Sequence, residues 1–211
     1  MQSAKHLRYQ QMIELAKPVL VLSTGPAGTG KTMLPCLVGM KQVKEHKYDR
    51  VILTRPLVTI ESESIGYLPG DVHSKTAPWM EHMLDYCGSD VNEYLQTHPL
   101  GFMRGQTFHN TFIVADEMQN ATPGQMKTLL TRIGKNSKLV ITGDLAQSDL
   151  DLEDGRPNGL QDLLEKLETY TQSNPDDHHL FDFVNTIQFG NEDIMRSEFV
   201  KKVYEIYNES V

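Results

Sequence analysis

The stretch "STGPAGTGKT", residues 23–32, constrains this chain more than any other, because Gly-x-x-x-x-Gly-Lys-Thr serves one geometry. It requires a buried strand before it and a helix after it, so that backbone N–H groups of the glycine loop and of the helix N-terminus surround a phosphate chain. Both flanks are present. "VLVLSTG" (19–25) is a short β-branched-rich apolar run. "KTMLPCLVGMKQVKEHK" (31–47) has apolar residues at near-helical spacing, with Pro35 in its first turn, where a missing N–H does little harm. The candidate phosphate-binding residues are therefore Gly25, Pro26, Ala27, Gly28, Thr29, Gly30, Lys31 and Thr32. In this loop type the Lys31 ammonium reaches the β- and γ-phosphates of a nucleotide and the Thr32 hydroxyl ligates Mg²⁺.

A strand, loop and helix of this kind belong to an α/β fold, and the rest of the chain keeps the alternation. "RVILTRP" (50–56) reads as the second strand, "TFIVADE" (111–117) as the third, "KLVITGD" (138–144) as the fourth and "HLFDFVNTIQF" (179–189) as the fifth. "TPGQMKTLLTRIG" (122–134) is a crossover helix with Thr122 as N-cap, Pro123 at its first position and Gly134 as its stop. "NEDIMRSEFVKKVYEIYNE" (191–209) reads as a closing helix. Residues 57–111 exceed an ordinary βα connection and form an insertion between strands 2 and 3, with a helix over 76–88 and a turn or hairpin over 101–110.

The third strand ends in two adjacent carboxylates, Asp116 and Glu117. A magnesium ion bound to a nucleotide keeps waters that need an anionic acceptor, and Asp116 is placed to be one. Hydrolysis also needs a base near the γ-phosphate to polarise the attacking water, the role expected of Glu117. A small-molecule kinase, which transfers phosphate to a substrate rather than to water, has less use for that second acid. The fourth strand ends "TGDLAQSD", and polar residues there face the ligand crevice, so Gln147 is a candidate γ-phosphate sensor. With no Asn-Lys-x-Asp guanine-reading motif in the chain, ATP is the expected nucleotide.

At 211 residues and 39% hydrophobic, the chain suits one domain over 1–211. Its net charge of −8 argues against indiscriminate adhesion to nucleic acid but leaves room for a local basic groove. Cys36 and Cys87 have no metal-ligand spacing and read as buried free thiols. No secretory h-region and no apolar run of about 18 residues is present, so a soluble cytoplasmic protein without a membrane partner is expected. His178 and His179 read as part of a loop.

With these motifs in place, the chain resembles the PhoH-like family of P-loop ATPases, whose core is similar to that of superfamily 1 helicases. The resemblance covers nearly the whole chain. It rests on "GPAGTGKT", "LTRP" (53–56), "IGYLPGD" (65–71), "RGQTF" (104–108), "ADEMQN" (115–120), "LLTRIGKNSKLVITGD" (129–144), Gln147 and Asp149 of "QSD", and "NGL" (158–160). It implies a RecA-like, mostly parallel five-stranded sheet flanked by helices, with the fourth strand between the first and third. It also implies an ATP and Mg²⁺ site made of Gly25 to Thr32, Asp116, Glu117 and Gln147. Members are named for phosphate starvation and described as ATP-binding or RNA helicase-like proteins, in bacteria and in phages. Two departures stand out. Met118 replaces the small residue that relatives have after the Asp-Glu pair, and the nuclease domain fused to some relatives is missing, so RNA cleavage is not expected.

A superfamily 1 helicase hydrolyses ATP between two RecA-like domains, the second supplying an arginine, and this chain has room for one. A head-to-tail homo-oligomer, expected to be a hexameric ring as in related proteins, would supply that arginine in trans. Arg132 and Arg196 are the candidates, Arg196 also in cis, with a surface salt bridge as the plainer reading of either. Arg55, Lys75, Trp79, Arg104 and Phe108 could contact RNA or single-stranded nucleic acid, although Trp79 and Phe108 also suit the core of the insertion. Gln10 and Gln11 could read adenine as a helicase Q-motif does, or form helix surface. Two functions from different classes follow: an ATPase that remodels nucleic acid, and an ATP-dependent switch that recruits a protein partner.

Overall fold

The computed structural model describes residues 3–57, 72–88, 93–148 and 155–195, together with 199, 202 and 206. For residues 72–79 and 181 it describes the backbone alone. The chain begins with helix α1 (Ala4–Glu14), capped by Ser3 in a reciprocal box with His6. There follow β1 (Leu20–Thr24), α2 (Met33–Lys44), β2 (Arg50–Thr54), α3 (Val72–Cys87), β3 (Leu95–Thr97), β4 (Thr111–Ala115), α4 (Pro123–Leu130), β5 (Lys138–Gly143), α5 (Gly159–Ser173), the single turn α6 (Leu180–Phe183) and β6 (Val184–Gln188).

The six strands form one sheet in the order β3-β2-β4-β5-β1-β6, every neighbouring pair parallel. All of its strand C-terminal ends therefore lie at one edge, which is where crevices form in open parallel sheets. The four inner strands, β2, β4, β5 and β1, are buried almost throughout because both faces are covered, whereas the edge strands β3 and β6 are partly exposed. Val21, Val51, Leu53, Phe112, Val114 and Val140 pack on one face with α1, α2 and α3 residues such as Tyr9, Leu34 and Met83. Their neighbours Leu22, Ile52, Ile113, Leu139 and Ile141 pack on the other with Met126 of α4 and Leu160 of α5.

Five strands were expected and six are present among the described residues. The extra one, β3, is three residues inside the insertion, too short to carry a pattern, and it pairs beside β2 at the sheet edge. The expected fifth strand begins later than its apolar run, because residues 180–183 turn as α6 before β6 starts. Thr122 caps α4 as expected, with Gln125 completing a capping box, but the helix ends at Leu130 and not at Gly134. Gly134 is instead demanded by close approach, since a Cβ there would lie 2.5 Å from the Phe108 carbonyl oxygen. In 101–110 a 3-10 turn, Leu100–Phe102, leads to an isolated parallel bridge between Phe108 and Ile133, without a hairpin. Most of the expected closing helix, "IGYLPGD", Asp149 and Arg196 lie outside the described residues.

One charged side chain anchors the base of the sheet. Lys138, at the start of β5, is wholly buried, and its Nζ donates to the carbonyls of Met12 at 2.7 Å, Leu15 at 3.0 Å and Pro18. Burial pushes its ammonium down to about 8, and three carbonyls, of Met12 in α1, its C-cap Leu15 and Pro18 beyond it, compensate. Lys138→Met would strand those acceptors. We expect it to cost about 2–4 kcal/mol and to lower Tm by roughly 5–12 °C, read by thermal unfolding at constant pH.

Candidate active site

The phosphate loop leaves β1 at Thr24, and its fold depends on three glycines with positive φ, at 25, 28 and 30. Gly25 also admits no side chain, since a Cβ would sit 2.6 Å from the Phe189 carbonyl oxygen, and its N–H donates to Gly143 O at 3.1 Å. Thr32 stands at the N-terminus of α2, where unpaired helical N–H groups attract anions. Lys31 is buried with its Nζ donating to Pro26 O at 3.2 Å, and Thr29 Oγ1 donates to the same carbonyl at 3.0 Å.

Strand order brings the acids to this loop. β5 lies between β1 and β4, so the end of β4 is two strand spacings from the end of β1. Asp116, one residue beyond β4, extends the ladder through its N–H to Thr54 O at 3.0 Å. Its Oδ1 accepts from Thr32 Oγ1 at 2.8 Å and from Thr142 Oγ1 on the intervening β5. Its Oδ2 lies 3.1 Å from His82 Nε2 on α3. A carboxylate can only accept there, so the ring donates. Burial opposes ionisation of Asp116, but the bonds from His82, Thr142 and Thr32 outweigh it and hold the carboxyl below its ordinary range.

The chain then turns sharply. Glu117 adopts the left-handed conformation at φ 53°, uncommon for a residue with a side chain, which re-aims the chain beyond Asp116. Its Oε2 accepts from Gln119 Nε2 at 2.5 Å, while Gln119 Oε1 accepts from Asp144 N at 3.1 Å, tying the acid to the end of β5. A cavity of about 310 Å³ is lined by Ala27, Gly28, Gly30, Lys31, Thr32, Met33, His82, Tyr86, Asp116, Glu117 and Met195. Among the described residues no cluster of three or more His, Cys, Asp or Glu is placed to hold a metal. Mg²⁺ does not need one, because one or two protein oxygens plus phosphates suffice, and Thr32 with Asp116 fit that pattern.

The structure thus brings Lys31, Thr32, Asp116 and Glu117 together. Gln147 is exposed and lines the adjoining hollow of about 380 Å³ with Thr24, Gly25, Pro26 and Asp144, on the other stretch of the same loop. Arg132 is not among the described residues that line the cavity of its own chain. It follows α4, beside the Phe108 backbone that accepts and donates near the start of β5, and its guanidinium donates to Thr131 Oγ1 at 3.3 Å. Phe108 is 1% exposed and packs edge-on to His98, so it is core and not a stacking surface for a base. Arg104 is exposed and Arg55 half-buried, while the side chains of Lys75 and Trp79 lie outside the described residues. Gln10 donates to Glu14 at 3.0 Å on the surface of α1.

Several supports were not read from the sequence. His6 Nε2 donates to Thr29 O at 2.9 Å and Tyr9 Oη to Lys31 O at 2.8 Å, so α1 braces the loop from behind. Met195 N donates to Gly28 O at 2.9 Å from the other side. Met118 is fully buried beneath the acids in the α4–α5 core, which accounts for a bulky residue there. Cys36 and Cys87, distant in sequence, meet between α2 and α3, and the hydrogen bond to Cys87 together with burial pushes the Cys36 thiol up.

Known proteins carry the same pattern. A family described as "PhoH-like protein" matches residues 1–208. The chain is 37% identical over 199 residues to a PhoH-like protein of Bacillus subtilis, covering 90% of this chain and 58% of that one. It is 33% identical over 214 residues to Protein PhoH of Escherichia coli K12, covering 96% of this chain and 56% of that one. It therefore spans somewhat over half the length of these curated relatives. Among solved structures, the Pif1 helicase from Candida albicans superposes with a TM-score of 0.51 at 15% identity, covering 99% of this chain and 43% of that one, which shows a shared α/β fold of the RecA-like type. On the extent of the family match and the identity with its relatives, the chain belongs to the PhoH-like protein family.

Proposed function

We propose that the chain binds ATP with Mg²⁺ around the phosphate loop, hydrolyses it, and couples hydrolysis to remodelling of RNA or single-stranded nucleic acid in the cytoplasm. The observation that carries the hydrolytic reading is the convergence of Thr32 and Asp116 at 2.8 Å in a cavity that Lys31 and Glu117 also line. Mg²⁺ would be held by Thr32 and Asp116, where it offsets the charge of the phosphates. Lys31 would exchange the Pro26 carbonyl for a phosphate oxygen. Glu117, held by Gln119, would accept a proton from the attacking water.

Both candidate arginines keep a role in this reading. Arg196 follows Met195, which lines the cavity, and so suits action in cis. Arg132 does not line the cavity of its own chain and suits action in trans across a hexameric ring, where such a residue raises turnover by about 10³–10⁵. Arg132→Ala should leave ATP binding nearly intact and abolish most turnover. Mixing it with Glu117→Gln subunits should restore part of that turnover, and no restoration at any ratio removes the trans role.

Single-stranded RNA oligonucleotide added to the ATPase assay tests the coupling. A several-fold rise in phosphate release supports nucleic-acid remodelling. A rate that RNA leaves unchanged favours an ATP-dependent switch acting on a protein partner.

A further inference from the structure

Asp116 has a donor on each oxygen, and the donors are not held alike. Thr142 belongs to the buried strand β5, and Thr32 begins the helix that follows the phosphate loop. Thr32 can keep donating to Oδ1 through its hydroxyl hydrogen while a lone pair faces a cation. His82 is different. Its side chain is 42% exposed, and it sits on α3, inside the inserted segment and separate from the phosphate loop. It shares one helix face with Tyr86, four residues on, the two rings packing edge-on at 6.5 Å, and both line the cavity. A neighbouring side of the same helix, Met80, Met83 and Cys87, is buried in the core. A hydrated Mg²⁺ held by Asp116 needs a carboxylate oxygen as acceptor, and Oδ2 is the one whose donor is free to leave.

We propose that His82 is a positioning residue that competes with Mg·ATP for Asp116 Oδ2, so that nucleotide binding releases α3 and reports to the inserted segment. This rests on the ATP site described above. It makes α3 the element through which the β4 acids act on residues 57–111, a segment that includes the exposed Arg104.

The chain has a single tryptophan, Trp79, three residues before His82 on α3, so its emission is the probe chosen for that helix. In the wild type, Mg·ATP should change Trp79 emission, while ATP with EDTA should change it little. His82→Ala should show the altered emission before nucleotide is added and respond little afterwards. Calorimetric titration should show it binding Mg·ATP about 3–10-fold more tightly, because a competing hydrogen bond has been removed. His82→Gln places an amide N–H at the same reach and should restore the wild-type response. A His82→Ala protein with wild-type emission and a full response, or one that binds Mg·ATP no more tightly, overturns the proposal. Failure of the underlying site is separately visible: wild type and Lys31→Ala would then bind ATP equally in the same titration.

Discussion

Replacing Lys31 with alanine is expected to weaken ATP binding more than about 100-fold, a loss of about 3 kcal/mol. Among the described residues this side chain is the one Lys or Arg lining the cavity, and it is buried within the glycine loop. The Tyr9 bond to the Lys31 carbonyl and the Gly25 bond to Gly143 remain in the variant, so the loop keeps its shape. What disappears is a charge-assisted contact made where water is largely excluded, which is worth more than the same contact at a surface. Among the described residues the Lys31 ammonium makes one hydrogen bond, to Pro26 O, so stability should change by less than about 1 kcal/mol. Calorimetric titration with Mg·ATP, paired with thermal unfolding, separates the two quantities. Equal affinity in variant and wild type sinks the site assignment.

Glu117→Gln should leave Mg·ATP affinity within about threefold of wild type and reduce the chemical step by about 10²–10⁴-fold, the usual contribution of a positioned general base. Glutamine has nearly the same shape, and its Oε1 can still accept from Gln119 Nε2, so the left-handed turn at 117 and the tie to Asp144 persist. What is lost is the ability to take a proton. Asp116, one residue earlier, cannot replace it, because its Oδ1 accepts from Thr32 and Thr142 and its Oδ2 is taken by His82 or, with nucleotide bound, by the hydrated Mg²⁺. Rapid acid quench of labelled ATP bound to excess protein measures that step without product release. An unchanged quench rate removes Glu117 as the base.

The features legible in the sequence were those with a short, local signature. The glycine loop, the apolar strands, the Asp116–Glu117 pair and the Thr122 cap each announce themselves within about ten residues. Long-range contacts do not. Nothing in "PWMEHMLDYC" marks His82 as a donor to Asp116, because that meeting depends on where α3 lies over the sheet. The same holds for His6, Tyr9 and Lys138, whose partners are backbone carbonyls far along the chain. Phe108 was open between stacking surface and core until burial decided it. Helix α5 was legible and not read: Leu160, Leu163, Leu164 and Leu167 repeat at helical spacing after the Asn158 cap, with Gly159 donating to Ala121 O at 2.7 Å.

Steady-state phosphate release from Mg·ATP, compared between wild type and Glu117→Gln purified identically, tests hydrolysis at this site most directly. Wild type should turn over ATP, and the variant should fall to the background of a chelated, Mg²⁺-free control. Equal release by the two proteins would place any ATPase activity outside the cavity formed by Lys31, Thr32, Asp116 and Glu117, and would contradict the assignment.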